Sequence, residues 1–128
     1  MKPESLLFAK THEWVALDND VATVGISAFA VEALTDLVFM ELPKVGAQVE
    51  AEQPFCEVES VKAVSDVYAP VAGEVIAVND SLPNRLEVLG SDPYGAGWIA
   101  KIKLSGQADQ TKLLDYATYQ RQCAEEGH

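Results

Sequence analysis

The chain has 128 residues, of which 48% are hydrophobic, and its formal net charge at pH 7 is −11. This composition supports a hydrophobic core within one domain, 1–128, and argues against intrinsic disorder. The charge excludes binding to nucleic acid or to an anionic membrane, and it favours basic protein surfaces as partners. The sequence contains neither a long apolar run nor an N-terminal targeting pattern. We therefore expect a cytoplasmic bacterial protein, or a processed eukaryotic protein of the mitochondrial matrix.

The first part of the chain carries strand and turn patterns. A hairpin is predicted where "HEWVAL" and "VATVGIS" flank a turn of Asp and Asn. Ser27 can cap a short helix near residues 28–35, because a serine oxygen accepts a hydrogen bond from a free backbone N–H group at a helix start. The next segment, "LVFMELP", is predicted to be a buried strand that ends at Pro43.

The second part of the chain continues with short strands and ends in a helix. Apolar residues alternate from 45 to 78, with glycine and proline between the runs. The segment 81–97 is rich in Pro, Gly, Asn and Ser, so it is predicted to be mostly loop with one helical turn. "WIAKIKL" alternates as a strand, and from Asp109 the apolar spacing becomes helical. This order predicts a mainly β protein, a small sandwich or barrel with helical additions.

Residues that could carry catalysis or bind metal are sparse. Cys56 and Cys123 lie far apart in the sequence, so we expect two reduced thiols and no disulfide. His12 has no second histidine or cysteine near it in sequence, which argues against a metal site. No pairing of a nucleophile with a base is evident either. The sequence therefore predicts no catalytic residue and no metal ligand.

The stretch "VESVKAVSDV", residues 58–67, is nearly symmetric about its centre. "CEVES" and "SDVYA" are predicted to pair as antiparallel strands, with Val58 and Val67 inward and acidic residues outward. Lys62 falls in the turn, which lacks the Asn-Gly chemistry of a tight hairpin, so we expect a type I turn with shifted pairing. Glu59 and Asp66 would repel each other if they were directly opposite.

Two interpretations of Lys62 follow from the hairpin alone. Most lysines are solvated surface residues, and an exposed lysine keeps its charge, so it is a poor general base. An exposed primary amine at a hairpin tip also suits the attachment of a group that an enzyme adds, and local rules broken together often mark a functional site. The hairpin residues do not decide between these interpretations.

Several motifs at matched spacing resemble the glycine cleavage H-protein family of lipoyl carriers. "THEWV", "LVFMELPKVG", "ESVKAVSDVYAPVAGEVIAVN" and "DPYGAGWIAKIK" follow in the order of the family, from about Leu7 to Glu126. Lys62 matches the lipoylated lysine, with Gly46 16 residues before it and Gly73 11 residues after it. The tripeptide "VKA" is similar to that of H-proteins rather than to the "DKA" of lipoyl domains in 2-oxoacid dehydrogenases.

The resemblance implies a barrel-sandwich hybrid, the flattened β-barrel of lipoyl and biotinyl domains, with lipoic acid attached covalently to Lys62. It implies a non-catalytic carrier that takes an aminomethyl group from glycine decarboxylase (P-protein) to the tetrahydrofolate-dependent aminomethyltransferase (T-protein). The same carrier presents its dihydrolipoyl group to a dehydrogenase (L-protein). A lipoyl ligase or an octanoyltransferase would modify it, and a monomer suits a carrier that visits several enzymes.

Two other functions stay open at this stage. A relay similar to H-proteins, which passes octanoyl or lipoyl groups during lipoate assembly, would use the same Lys62. An interaction module of this fold that is never modified would carry nothing on that lysine. The match from "THEWV" through to the C-terminal helix favours an H-protein of glycine cleavage.

The resemblance also assigns residues to two further roles. A cleft that receives the loaded arm would be lined by Glu13, Asp66, Thr11 and Ile26. A carboxylate there could hold the ammonium of the cargo through a charge-assisted hydrogen bond. Recognition by the modifying enzyme would use Glu59, Ser60, Val61, Ala63, Gly46 and Gly73. Many family members have histidines in the helix beside the cleft, where this chain has Phe29 and Ala33, so a titratable wall is not expected.

Overall fold

The computed structural model describes residues 2–34, 36–105 and 113–126 and shows a mainly β protein with short helices. The strands are β1 (Leu7–Phe8), β2 (Glu13–Asp18), β3 (Val21–Ile26), β4 (Leu37–Glu41), β5 (Gln48–Val49), β6 (Pro54–Ser60), β7 (Val64–Tyr68), β8 (Gly73–Val78) and β9 (Ala100–Leu104). The helices are α1 (Ala28–Leu34), α2 (Glu87–Ser91) and α3 (Tyr116–Glu126), with 3₁₀ helices at Pro3–Ser5 and Leu82–Asn84. The predicted class is confirmed, including a helix near 28–35 and a C-terminal helix.

Two antiparallel sheets share one hydrophobic core. The larger sheet has the strand order β1-β2-β3-β9-β8-β5, and the smaller has the order β4-β6-β7. Val24 and Ile102 from the larger sheet and Met40 and Val58 from the smaller one are each at most 1% exposed and belong to this core. The arrangement is the predicted flattened barrel-sandwich, in which side chains of two sheets interdigitate.

A second apolar cluster lies under α3. It consists of Leu6, Phe8, Trp14 and Tyr119. The ring of Phe8 stacks on that of Tyr119, with centroids 4.4 Å apart, and Trp14 Nε1 donates a hydrogen bond to the carbonyl of Pro93 at 2.9 Å. This cluster fixes α3 against β1 and β2, next to the residues that the resemblance assigns to the cleft.

Two local predictions from the sequence are confirmed. β2 and β3 form the predicted hairpin, in which Asp18 pairs with Val21 and Asn19 has a φ of 56°, a conformation that Asn tolerates. Ser27 Oγ accepts a hydrogen bond from the Ala30 N–H at 3.2 Å. Ser27 therefore caps α1, as its position predicts.

The prediction of a buried strand in "LVFMELP" is wrong about burial. β4 forms at this place, but Val38 is 57% exposed and Phe39 is 48% exposed, and within β4 Met40 alone is buried. β4 is an edge of the smaller sheet, whose outer face is open to water, as antiparallel sheets allow. A register irregularity between Leu37 and Phe39 disrupts the alternation of side chains along this strand.

Helix α3 begins at Tyr116, so residues 113–115 lie outside the helix that the sequence spacing predicts from 109 onward. Leu114 is extended instead, and its backbone exchanges hydrogen bonds of 2.6 and 2.7 Å with that of Phe8. Asp115 Oδ1 then accepts a hydrogen bond from the Thr118 N–H at 2.8 Å and caps the helix. Pairing with β1 thus overrides the helical spacing, and the predicted residues 109–112 lie outside the described part.

The segment 81–97 contains two helical pieces, the 3₁₀ helix Leu82–Asn84 and α2, where its composition predicts one turn. Leu82 is 1% exposed and Leu89 is 0% exposed. Burial of these leucines supplies the packing that short helices need. Within the described ranges, no helix is long and apolar enough to cross a membrane.

The Lys62 hairpin and the buried Glu13 carboxyl

β6 and β7 form the predicted hairpin, and Lys62 lies in its turn. The Ser60 N–H donates a hydrogen bond to the Ala63 carbonyl at 2.8 Å, so Val61 and Lys62 are the two central residues. Neither of them has a positive φ, which excludes the I′ and II′ turns. The turn is centred one residue before the centre of symmetry of the sequence, so the pairing is shifted, as expected. The side chain of Lys62 is exposed.

Ser60 gives the turn its fixed shape. Its Oγ accepts hydrogen bonds from the N–H groups of Lys62 at 3.3 Å and Ala63 at 3.1 Å, and Ser60 itself is 9% exposed. The Val61 N–H donates to the Asp36 carbonyl at 3.1 Å, which ties the turn to the start of β4. A serine that bonds backbone groups of its own turn is a common way to hold such a loop. Lys62 is therefore presented on a fixed backbone.

The shifted register separates the two acidic residues that the symmetry of the sequence would place opposite each other. Glu59 pairs with Val64, and Asp66 pairs with Glu57. Glu57 also pairs with Glu41 on β4, so three carboxylates form one row across the smaller sheet. Like charges directly opposite each other destabilise a sheet. The row therefore lowers the stability of the sheet, and its negative charge would attract a basic surface of a partner protein.

Exposed apolar side chains accompany Lys62. Phe39 is 48% exposed, Val61 is 69% exposed and Val64 is 58% exposed. Phe39 and Val64 both pair with Glu59, so they lie on one face of the smaller sheet. We call Phe39, Val61 and Val64 the tip face. Apolar groups exposed together are typical of interaction sites, and the sequence does not reveal this one, because β4 is predicted from sequence to be buried.

Glu13 is a buried carboxyl at the start of β2, only 2% exposed. The Thr11 hydroxyl donates a hydrogen bond to Glu13 Oε1, and the Tyr68 N–H donates to Oε2 at 3.4 Å. Burial raises the pKa of Glu13 to about 7, and the hydrogen bonds from Thr11 and Tyr68 offset that effect only in part. Over the described ranges, no salt bridge reaches this carboxyl.

Three of the four predicted cleft residues come together. Glu13 accepts a hydrogen bond from Thr11, and in the sheet it pairs with Ile26, which is 3% exposed. Asp66 is exposed and lies on β7, two residues before Tyr68, whose N–H reaches Glu13. Asp66 itself makes no hydrogen bond to Glu13 within the described part of the chain. Direct contacts thus join Thr11, Glu13 and Ile26, and Asp66 is connected to them through the strand that it shares with Tyr68.

Strand β7 connects the Lys62 turn with Glu13. It begins at Val64, two residues after Lys62, and ends at Tyr68, whose N–H bonds Glu13. The four residue steps between these ends span about 13 Å. Asp66 lies halfway along this strand, which is an edge of the smaller sheet. The lysine and the buried carboxyl are therefore located near opposite ends of one short strand.

Both glycines in the predicted recognition set have structural roles. Gly46 has a φ of 94°, a conformation that favours glycine. A Cβ at Gly73 would lie 2.0 Å from the carbonyl oxygen of Lys103, because β8 and β9 approach closely there. These roles explain the glycines without a modifying enzyme, and they do not bear on whether such an enzyme contacts them.

The two cysteines are free thiols, as expected. Cys56 is buried on β6, and burial raises the pKa of its thiol to about 12, so it stays protonated and unreactive at neutral pH. Burial also raises the pKa of the Cys123 thiol on α3. Among the described residues there is no group of His, Cys, Asp and Glu side chains that could hold a metal ion.

One feature that the sequence does not reveal is the role of His12, which precedes Glu13. His12 has a φ of 82°, and its Nδ1 forms a hydrogen bond of 2.6 Å with the hydroxyl of Tyr119. Its ring stacks on Phe29, with centroids 5.0 Å apart. The imidazole of His12, from the neighbouring turn, therefore packs against α1 at Phe29. No sequence signal links His12 to Tyr119, which lies 107 residues further along.

Comparison with known proteins identifies close relatives over almost the whole chain. A sequence profile described as Glycine cleavage H-protein matches residues 6–126. The glycine cleavage system H protein of Rhodopirellula baltica is 54% identical over 129 residues, which cover 98% of this chain and 97% of that protein. The H protein of Neisseria meningitidis serogroup C is 54% identical over 118 residues, or 91% and 92% of the two chains.

A solved structure shows the same architecture. The crystal structure of a glycine cleavage system H protein from Mycobacterium marinum superposes with a TM-score of 0.85 at 36% sequence identity, covering 99% of this chain and 100% of that one. With this fold and these relatives, the chain belongs to the class of lipoyl carriers. Within that class it is a member of the glycine cleavage H-protein family, which carries lipoate in the glycine cleavage system. The family and the carrier function predicted from the sequence motifs are confirmed.

Proposed function

We propose that lipoic acid is attached to this carrier at Lys62. The observation that carries the proposal is the position of Lys62 in an exposed turn whose backbone is fixed by Ser60. An exposed amine on a rigid turn is accessible to a modifying enzyme, a lipoyl ligase or an octanoyltransferase. The tip face gives that enzyme apolar side chains to recognise beside the lysine.

In this proposal the chain presents the lipoyl group and shelters its cargo, and other proteins catalyse the reactions. The lipoyl group, when bound, provides the disulfide and dithiol chemistry that takes up and releases the aminomethyl cargo. The P-protein, the T-protein and the L-protein contribute the catalytic residues, so the chain is a non-catalytic component. Acylation of Lys62 removes one positive charge and takes the formal net charge from −11 to −12.

Intact mass spectrometry tests the attachment site. Protein from lipoate-replete cells should carry one lipoyl group, which is absent from Lys62→Arg. Lys44→Arg, at another exposed lysine, is the matched control and should keep the group. A lipoyl group on Lys62→Arg would refute the assignment. Wild-type protein that stays unmodified with saturating ligase would favour an interaction module that is never modified.

We also propose that Thr11, Glu13 and Ile26 receive the cargo end of the arm, with Asp66 on the approach along β7. The Glu13 carboxylate would hold the cargo ammonium by a charge-assisted hydrogen bond, and the Thr11 hydroxyl fixes one of its oxygens. Because a cation favours the ionised form of a carboxyl, its arrival would lower the raised pKa of Glu13.

The rate at which the loaded protein loses its aminomethyl group tests this cleft. Glu13→Gln should raise that rate about tenfold, because a hydrogen bond to a charged group contributes about 1.5–3 kcal/mol. Asp66→Asn should raise the rate by only about twofold, since Asp66 is exposed. Glu74→Gln, an exposed change on β8, is the control and should leave the rate unchanged. Equal rates in all variants would remove Glu13 and Asp66 from the cleft.

We further propose that residues 1–128 act as a single domain and as a monomer in the bacterial cytoplasm. The match of the family profile over residues 6–126 and the bacterial origin of the relatives support this proposal. A carrier that must reach several enzymes works best when its tip face is not covered by a second copy. Light scattering during gel filtration would measure the mass in solution, and a stable dimer would contradict the proposal.

A further inference from the structure

We infer that α3 positions the Glu13 carboxyl by bracing the Ala9–Glu13 turn, and that Tyr119 is the main positioning residue. This inference rests on the proposed role of Glu13 in receiving the cargo. Tyr119 makes no hydrogen bond to Glu13 within the described residues, so it would act through His12. Three side chains of α3, at 119, 122 and 126, lie on one face of the helix and provide the brace.

The Ala9–Glu13 turn needs external support. The Ala9 N–H donates to the Glu13 carbonyl at 2.8 Å, and the His12 N–H donates to the Ala9 carbonyl at 2.9 Å. His12 closes the turn in the left-handed region, at a φ of 82°. This conformation is uncommon for residues other than glycine, and contacts with the surroundings help to hold such a residue in it. The Ser27 N–H also donates to the His12 carbonyl at 2.9 Å, so the contacts of the His12 backbone and side chain together set the position of Glu13, the next residue.

Two helices hold the imidazole of His12. Its Nδ1 lies 2.6 Å from the Tyr119 hydroxyl, and its Nε2 lies 3.2 Å from Glu126 Oε1, both on α3. Its face stacks on Phe29 of α1, with centroids 5.0 Å apart. With both ring nitrogens and one ring face in contact, the side chain of His12 is fixed in one orientation.

Tyr119 joins these contacts into one chain of hydrogen bonds. Its hydroxyl lies 2.5 Å from Ser27 Oγ, which in turn accepts a hydrogen bond from the Ala30 N–H at the start of α1. Burial raises the pKa of Tyr119, so the hydroxyl stays protonated and can donate one hydrogen bond while it accepts another. Stacking on Phe8 fixes the ring. The hydroxyl of Tyr119 thus connects His12 to α1.

Gln122 forms a second contact between α3 and the Ala9–Glu13 turn. Its Nε2 donates to the Lys10 carbonyl at 2.8 Å. Lys10 and His12 are the two neighbours of Thr11 in sequence, and the Thr11 hydroxyl donates to the carboxyl of Glu13. By holding both neighbours, α3 sets the position of the hydroxyl that orients Glu13.

The titration of Glu13 in protein without a lipoyl group tests the brace. Carbon-13 NMR of the side-chain carboxyl should show a midpoint about one pH unit or more lower in Tyr119→Phe, because an opened turn admits water and reduces the desolvation that raises the pKa. Tyr116→Phe is the matched control. Its ring also packs on Phe8, its hydroxyl makes no hydrogen bond within the described residues, and its midpoint should equal that of wild type.

Gln122→Met provides a second test, because it removes the other hold and keeps the size of the side chain. Gln122→Met should also lower the midpoint of the Glu13 titration, by a smaller amount than Tyr119→Phe. If Tyr119→Phe does not fold, the midpoint in Gln122→Met tests the inference in its place. A lower melting temperature with an unmoved Glu13 midpoint would show that α3 only adds stability, and would overturn the inference.

A readout on loaded protein separates the brace from the cleft itself. Tyr119→Phe should raise the loss of the aminomethyl group about threefold, less than the tenfold expected for Glu13→Gln. If Glu13→Gln leaves that loss unchanged, the proposed cleft fails, and the brace is then judged by the titration alone. If Glu13→Gln raises the loss but Tyr119→Phe changes neither the loss nor the titration, the cleft stands and the brace fails.

Discussion

The Lys62 turn and the Ala9–Glu13 turn are built in opposite ways. The Lys62 turn is held by Ser60, a member of the turn, and by one backbone hydrogen bond to Asp36, while the side chains of Val61 and Lys62 are exposed. The Ala9–Glu13 turn has two backbone hydrogen bonds of its own, and its His12 side chain is held by side chains of α1 and α3. Tyr119 of α3 lies more than 100 residues away in sequence. Exposure and local hydrogen bonds suit a site that several enzymes must reach.

Packing from distant elements suits the opposite task. A carboxyl that is to hold one small cation must stay in one place and away from water, which local hydrogen bonds alone cannot achieve. Burial of Glu13 also raises the pKa of its carboxyl. The contrast predicts that substitutions at the Glu13 end change titration and stability, and that substitutions at the Lys62 end mainly change recognition.

The largest expected effect is a dependence of stability on pH at the Glu13 end. Because the pKa of Glu13 is raised from 4.5 to about 7 in the folded state, the stability that this group contributes is present below pH 4.5 and is lost as the pH rises through 7. The loss amounts to about 3 kcal/mol. Urea unfolding from pH 4.5 to 8 should show it in wild type and not in Glu13→Gln, while Glu74→Gln should behave as wild type. A difference between wild type and Glu13→Gln that does not change with pH would contradict the assignment.

A smaller effect is expected from Ser60→Ala at the other end. The substitution leaves two N–H groups of the turn without their side-chain acceptor and should lower the free energy of unfolding by about 1 kcal/mol. The rate of lipoylation should also fall, because Lys62 is then presented on a looser turn. Ser65→Ala, on the same hairpin, is the control for both measurements. If the two variants behave alike, Ser60 has no special role in presenting the lysine.

The tip face should affect recognition far more than stability. Phe39→Thr and Val64→Thr keep residues that favour strands, and at exposed positions they should change the free energy of unfolding by less than about 0.5 kcal/mol. The Michaelis constant of the lipoyl ligase for the carrier should nevertheless rise several-fold. Ile76→Thr, at an exposed position on β8, controls for the loss of an apolar group elsewhere. An unchanged constant for all three variants would exclude the tip face from recognition.

The smallest effect concerns the acidic row of Glu41, Glu57 and Asp66 on the smaller sheet. With a net charge of −11, the carrier should associate with the glycine decarboxylase less tightly as salt is added, with a change of about two- to threefold in its Michaelis constant. Glu57→Gln should reduce that dependence more than Glu4→Gln, which removes an exposed charge from the N-terminal 3₁₀ helix. A constant that does not depend on salt would argue against docking through this row.

The sequence predicts the features of this fold that depend on neighbouring residues. The β2–β3 hairpin, the Ser27 cap and the β6–β7 hairpin with Lys62 in its turn are all encoded within a few positions, by turn residues, a capping oxygen and alternating apolar side chains. Each of them is found where the sequence places it. The family motifs also predict the carrier function.

The features that the sequence does not predict depend on distant contacts. The fold brings Tyr68 to Glu13 and Tyr119 to His12, where each forms a hydrogen bond. The start of α3 is displaced because Leu114 pairs with β1. The exposure of Phe39 follows from the place of β4 at a sheet edge, and alternation along one strand cannot reveal which face another sheet will cover.

Because Glu13 titrates near neutral pH, binding of a cation beside it would be coupled to the release of protons. At pH 7 a carboxyl with a pKa of about 7 is about half protonated, so a cation that docks against it would release about half a proton to the solvent. The heat of docking would then depend on the ionisation enthalpy of the buffer. Calorimetry in two buffers would therefore measure the number of protons released per cation bound. That number would report whether the cation docks against Glu13.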